Sequence, residues 1–140
     1  MLDLDKAMSV LREEFSEQLN NLPSHMSDSR TASMLAWVLA YDTEDYYSLP
    51  LYWHKAVGTL VTGLTWHRGF VRAGWDKSRS AEVDEFCIAF LEHLWERHSR
   101  FKLVKDTQYC WSRCNFDFGM CYDFIWTIWE GLNEKVKNLD

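Results

Sequence analysis

The sequence has few of the residues that interrupt helices. Among its 140 residues there are only two prolines, Pro23 and Pro50, and six glycines. Because proline and glycine are the strongest breakers of regular structure, long stretches without them favour helices. We find no hairpin signal, internal repeat or interdomain linker. We therefore predict an all-α fold, a compact bundle of five or six helices that forms a single domain over residues 1–140.

Long apolar runs and export signals are missing as well. The apolar run from Met34 to Tyr41 is far shorter than the ~20 residues that a membrane-spanning helix needs. The early acids Asp3 and Asp5 are unlike the N-terminal segment of a secreted or imported protein. Four cysteines without an export signal indicate thiols that stay reduced. We expect a cytoplasmic protein that has no membrane partner.

Recognisable catalytic and metal-binding motifs are absent from the sequence. The chain has no Gly-x-Ser-x-Gly, phosphate-binding loop, Rossmann glycine pattern or His-Glu-x-x-His. Cys110, Cys114 and Cys121 are four and seven residues apart, but the second ligand pair that completes a zinc site is missing. We therefore predict no metal and no cofactor, and the lack of motifs favours a binding protein over an enzyme.

Apolar residues at helical spacing are present along most of the chain. A first helix begins after Asp3 and continues to Leu22, and Ser27 or Asp28 caps a second. A last helix, over about 117–138, is apolar over so wide an arc that we expect it at the centre of the bundle. The clearest helix has a face whose residues repeat every three or four positions: Val83, Phe86, Cys87, Phe90, Leu91, Leu94, Trp95 and His98.

Aromatic side chains are unusually abundant, with eight Trp, eight Phe and six Tyr. A chain of this size can hardly bury all eight Trp, and exposed aromatic residues are favoured anchors at protein interfaces. The stretch from Asp42 to Asp45 reads as an acidic loop followed by tyrosines. An alternative is that these aromatic rings simply close the core. As a surface, the segment would bind a larger protein or nucleoprotein complex, or a second copy of the chain, through Asp42, Glu44, Asp45, Tyr46, Tyr47, Tyr52 and Trp53.

One basic segment lies within an otherwise acidic chain. The net charge of −6, from 21 acids and 15 bases, argues against general affinity for nucleic acids. Within residues 67–79, Arg68, Arg72, Trp75 and Arg79 follow one another at spacings of four, three and four. On a continuous helix they would share a face suited to phosphate or single-stranded nucleic acid. The alternative is a loop interrupted by glycines, whose arginines pair with the protein's own acids.

The carboxylates of the first helix support an enzyme as an alternative. Glu14 and Glu17 form a Glu-x-x-Glu pair, with Glu13 beside them. The pair resembles the one with which all-helical nucleotide pyrophosphohydrolases hold Mg²⁺, which implies a Mg²⁺-dependent nucleotide hydrolase. A hard cation needs several oxygen ligands, and no second matching acidic helix is evident. The competing interpretation is that these carboxylates form a charged face turned to solvent. His93 and Glu96, three residues apart on a later helix, are likewise interpreted as part of a solvent-facing helix surface with local ion pairs.

In size, acidity and lack of motifs the chain is similar to a class of proteins and to no particular family. Many anti-CRISPR and other anti-defence proteins of phages and mobile elements are short, acidic, compact and without catalytic motifs. This likeness implies an inhibitor that occupies a nucleic-acid-binding surface with its acids or wedges aromatic side chains between subunits. The sequence therefore favours an acidic binding or inhibitor protein, with the hydrolase and the phosphate-binding protein as alternatives.

Overall fold

The described part of the chain is helical. A computed structural model describes residues 3–45, 48–72, 81–97 and 134–135. Within these residues there is no strand, which confirms the predicted fold class, and no helix is both long and apolar enough to cross a bilayer. The single domain over the whole chain stays a prediction. In chain order the helices are α1 (Leu4–Glu14), α2 (Ser16–Asn20), α3 (Ser29–Asp42), α4 (Leu51–Arg72) and α5 (Ala81–Arg97).

Side-chain caps begin α1 and α3, as the sequence predicts. The carboxylate of Asp3 accepts a hydrogen bond from the backbone N–H of Lys6 at 2.8 Å. Asp28 accepts hydrogen bonds from the N–H groups of Arg30 and Thr31 and, at 2.7 Å, from the Thr31 hydroxyl. These bonds, the one from the hydroxyl first, lower the pKa of Asp28. Each cap satisfies N–H groups that have no acceptor inside the helix.

The first predicted helix is interrupted at Phe15, which ends α1 and precedes α2. Hydrogen bonds nevertheless run across the interruption, because Phe15 N–H donates to the Leu11 carbonyl and Leu19 N–H donates to the Phe15 carbonyl. Met8 and Leu11 are fully buried, and Phe15 is only 8% exposed. The predicted apolar face therefore packs against the core on both sides of the break.

Helix α3 lies at the centre of the described helices. It contacts α1, α4 and α5, and every side chain from Met34 to Tyr41 is buried. An apolar run of this length leaves no polar face for solvent, so it is stable only with neighbours around it. The sequence assigned a central position to the last helix, of which residues 134 and 135 alone are described; they are helical.

Aromatic rings of α3 and α5 pack together in the core. Trp37 is fully buried, and its ring centroid lies 4.5 Å from that of Phe90, edge to face, and 5.5 Å from that of Phe86. Such aromatic pairs contribute about 0.5–1.5 kcal/mol beyond the burial of their area. The seven described residues of the predicted face of α5 are buried, Cys87 among them, and the eighth, His98, lies outside the described residues.

The ends of α3 and α5 meet at one end of the described bundle. Residues 43–50 connect α3 to α4. Arg97, at the end of α5, donates hydrogen bonds to the carbonyl oxygens of Tyr41 at 2.8 Å and Asp42 at 3.3 Å. This end of the bundle therefore carries the acidic stretch that the sequence singles out.

Candidate docking face at the start of helix α4

The connection between α3 and α4 presents two acids to solvent. Thr43 ends α3 by donating its N–H to the Leu39 carbonyl. The N–H and the hydroxyl of Ser48 both donate to the Asp45 carbonyl, at 3.1 and 2.6 Å, and close a turn. Glu44 and Asp45 are exposed in this segment. Both carboxylates are therefore within reach of another molecule.

Among the side chains that the structure describes, those of residues 66–72 not included, Leu51 is the one large hydrophobic side chain that is exposed, with 67% of its surface accessible. It is the first residue of α4 and comes three residues after Ser48, which closes the acidic turn. At 100° per residue it lies opposite Leu60, which is buried. Sequence reasoning missed Leu51, although its angular distance from the apolar face of α4 was available to find it. We call Glu44, Asp45 and Leu51 the docking face.

Asp42 is exposed but paired with Arg12 within the protein, so we do not count it in the docking face. Its carboxylate accepts two hydrogen bonds from Arg12 of α1, from Nε at 2.7 Å and from Nη2 at 2.8 Å. The hydrogen bond to Asp42 is the main cause of a raised pKa of Arg12. Because a two-pronged pair fixes the orientation of both side chains, it ties α3 to α1. The structure thus gives Asp42 a role in the fold, and its predicted contact with a partner stays a prediction.

Tyr41 joins the same helices beside Asp42. Its hydroxyl donates to the carboxylate of Asp5 on α1, and its ring stacks on His93 of α5 with centroids 4.0 Å apart and planes 8° apart. The guanidinium carbon of Arg12 lies 5.9 Å from the centre of the same ring. His93 is therefore half-buried against an aromatic ring, which corrects its prediction as a solvent-facing residue. These contacts hold α1, α3 and α5 together next to the docking face.

Tyr52 and Trp53 fasten the segment before α3 to α4. Trp53 is fully buried and donates its Nε1–H to the Pro23 carbonyl at 2.7 Å. Tyr52 is half-buried, and its hydroxyl donates to the Met26 carbonyl at 3.1 Å. Both rings help to close the core, and burial leaves Trp53 no surface with which to contact a partner. Two further predicted partner contacts lie outside the described residues: Tyr46 and Tyr47.

The basic segment is described only in part. Helix α4 continues through Gly69, so Arg68 and Arg72 are four residues apart on one unbroken helix. Residues at this spacing share a helical face, as half of the predicted stripe requires. The anion or nucleic-acid site stays a prediction, because the rest of it lies outside the described residues: Trp75, Arg79 and the side chains of Arg68 and Arg72.

The carboxylates of the hydrolase alternative, Glu13, Glu14 and Glu17, are exposed. The interruption at Phe15 lies between Glu14 and Glu17. The Glu14 oxygens lie 2.6 and 2.7 Å from Nζ of Lys135, so a base faces this carboxylate. Over the described ranges, no three His, Cys, Asp or Glu side chains come close enough to hold a metal ion. The remaining cysteines lie outside those ranges: Cys110, Cys114 and Cys121.

Comparison with known proteins does not assign the chain to a family. No protein-family model matches it, and no curated protein or solved structure matches it significantly. The inference of function therefore rests on the residues of the docking face and on the contacts around them.

Proposed function

We propose that the protein is a binding protein that docks on a larger protein or nucleoprotein complex through the docking face. The observation that carries the proposal is the exposure of Leu51 six residues after Asp45, with Glu44 and Asp45 exposed as well. Protein interfaces combine an apolar centre with a polar rim, and these three residues supply both on a small scale. The complementary partner surface has an apolar pocket bordered by basic side chains.

The two parts of the face contribute differently to binding. Full burial of a leucine side chain is worth about 1.5–3 kcal/mol, so burying the exposed part of Leu51 is worth about 1–2 kcal/mol. That range corresponds to about a 5- to 30-fold change in Kd. Glu44 and Asp45, as rim charges, mainly raise the association rate with a basic partner, and added salt weakens this effect.

An anti-defence inhibitor of a phage or mobile element, acting in the cytoplasm, is the narrower form of this proposal. Its support is compositional: 21 acids against 15 bases, four cysteines and no recognisable catalytic motif. An inhibitor that blocks a nucleic-acid-binding surface needs acids where that surface has bases, and Glu44 and Asp45 would supply them. The described carboxylates give the Mg²⁺-dependent hydrolase no comparable support, since Lys135 faces Glu14.

Capture from native cell extract tests the apolar part of the face. Tagged wild-type protein, Leu51→Glu and Ala81→Glu are compared, and bound proteins are identified by mass spectrometry. Ala81 is exposed at the start of α5, so its variant adds the same charge on another helix. We expect a stoichiometric partner that Leu51→Glu loses and Ala81→Glu keeps. A partner that Leu51→Glu retains in full would exclude the proposed face.

A matched charge reversal tests the acidic part. The double variant Glu44→Lys and Asp45→Lys is expected to bind more slowly and with a smaller dependence on salt. Glu13→Lys and Glu17→Lys changes the net charge equally at exposed acids elsewhere and serves as the control. Equal losses in both double variants would show that net charge alone matters. Asp42 is left unchanged, because its substitution would also break the pair with Arg12.

A further inference from the structure

A base follows Leu51 on the side away from the acids. Lys55 is exposed and lies four residues after Leu51, so the two share one face of α4, about 6 Å apart along its axis. Glu44 and Asp45 precede Leu51 in the turn that leads into the helix. Along the chain from the turn into α4, the exposed side chains therefore follow in the order acids, apolar side chain and base.

A surface with this order is complementary to itself. In a two-fold dimer every contact occurs twice, because the same patch of each copy faces the other. A two-fold axis at Leu51 brings the two leucines together and sets Lys55 of each copy against Glu44 and Asp45 of the other. We propose that the free protein forms such a dimer, held by one central apolar contact and two equivalent groups of ion pairs.

The dimer rests on the proposed function, because it uses the same face and gives that face a means of control. A docking face that is closed in the dimer is not available to a larger partner, so a second copy and the partner compete for Leu51. The contact comprises a few side chains and falls at the small end of protein interfaces. We therefore expect a weak dimer that forms at high protein concentration and dissociates on dilution or at high salt.

Sedimentation velocity of the purified full chain over a range of concentrations tests the dimer. The wild-type mass is expected to rise with concentration from 16.7 kDa towards twice that value at low salt. Leu51→Glu is expected to remain monomeric, whereas Ala81→Glu, which adds the same charge at the start of α5, should dimerise as the wild type does. Both positions are exposed, and circular dichroism confirms that each variant is folded.

An exchange of charges between two variants identifies the ion pairs. Lys55→Glu alone sets acids against acids, and Glu44→Lys with Asp45→Lys sets bases against bases, so each variant is expected to be monomeric. Mixed in equal amounts, the two should form a heterodimer, because every facing pair then has opposite charges. This recovery is not expected if the substitutions merely damage the fold.

Three results would overturn the inference: a wild type that stays monomeric at every concentration, a dimer that survives both charge reversals, or a mixture that does not associate. A dimer formed through another surface would survive both charge reversals and so give the second of these results. The proposed function is tested separately, because capture of a larger partner depends on Leu51 whatever the mass of the free protein. A monomeric wild type whose partner is lost with Leu51→Glu would refute the dimer alone.

Discussion

The pair between Arg12 and Asp42 should stabilise the fold by a small but measurable amount. Its side chains remain 40% and 37% exposed, so solvent screens their attraction. Exposed ion pairs contribute about 0–1 kcal/mol, and long side chains lose rotamer freedom when they form. The two-pronged geometry, which joins two helices, places the expected coupling at the upper end of that range, about 0.5–1 kcal/mol.

A double-mutant cycle measures this coupling. Arg12→Gln, Asp42→Asn and the double variant are unfolded in urea and followed by circular dichroism. Arg12→Gln alone also loses the contacts of Arg12 with the Ser9 hydroxyl and the Tyr41 ring. The cycle subtracts these contributions and leaves the coupling energy between Arg12 and Asp42. Repeating the cycle at about 1 M salt should reduce the coupling, because screening at that ionic strength acts over about 3 Å.

The control cycle combines Arg12→Gln with Glu44→Asn, an exposed acid two residues further along the chain. It is expected to give a coupling energy near zero. A coupling near zero for Arg12 and Asp42 as well, at low salt, would refute the role assigned to the pair. Asp42 would then be available to a partner, as the sequence alone suggests.

Three further predictions concern stability. Trp37→Ala should destabilise the protein by about 3–5 kcal/mol because it leaves a cavity in the aromatic core. Leu51→Ala should change the free energy of unfolding by less than about 0.5 kcal/mol, because this side chain is exposed. Equal losses of stability in urea unfolding would contradict this difference in burial. Gly58→Ala should stabilise α4 by about 0.5–1 kcal/mol, since a Cβ there meets nothing within 4 Å, and a lower Tm would contradict that open space. The pKa of Asp28 is lowered from its usual 3.8, so the Tm difference between wild type and Asp28→Ala should be present above that pH and vanish as pH falls through the folded-state pKa; a difference unchanged at pH 2 would contradict the cap.

Local patterns in the sequence were sufficient for most of the described fold. The caps at Asp3 and Asp28 depend on side chains one turn away, and the apolar face of α5 repeats with the helical period. The interruption at Phe15 was not foreseen, because the apolar spacing continues across it. Placing α3 at the centre also requires knowledge of which helices surround it, and the spacing within one helix does not contain that information.

The docking face was only partly predictable, because its members depend on contacts between distant segments. The sequence placed Asp42, Glu44 and Asp45 together, but the engagement of Asp42 involves Arg12, thirty residues earlier. Trp53 was predicted at the surface because aromatic residues suit both cores and interfaces. In the structure Trp53 is buried, and its indole N–H donates a hydrogen bond to the carbonyl of Pro23, which is again thirty residues away in the sequence.

Hydrogen exchange of the protein with and without its captured partner tests the docking face most directly. The backbone N–H groups of the segment from Glu44 to Lys55 should exchange more slowly in the complex, because a partner seated on Leu51 shields the turn and the first turn of α4. The last turn of α4, from Gly69 to Arg72, should exchange at the same rate in both states. Protection confined to that last turn, with residues 44–55 unchanged, would contradict the account and favour binding through the basic segment.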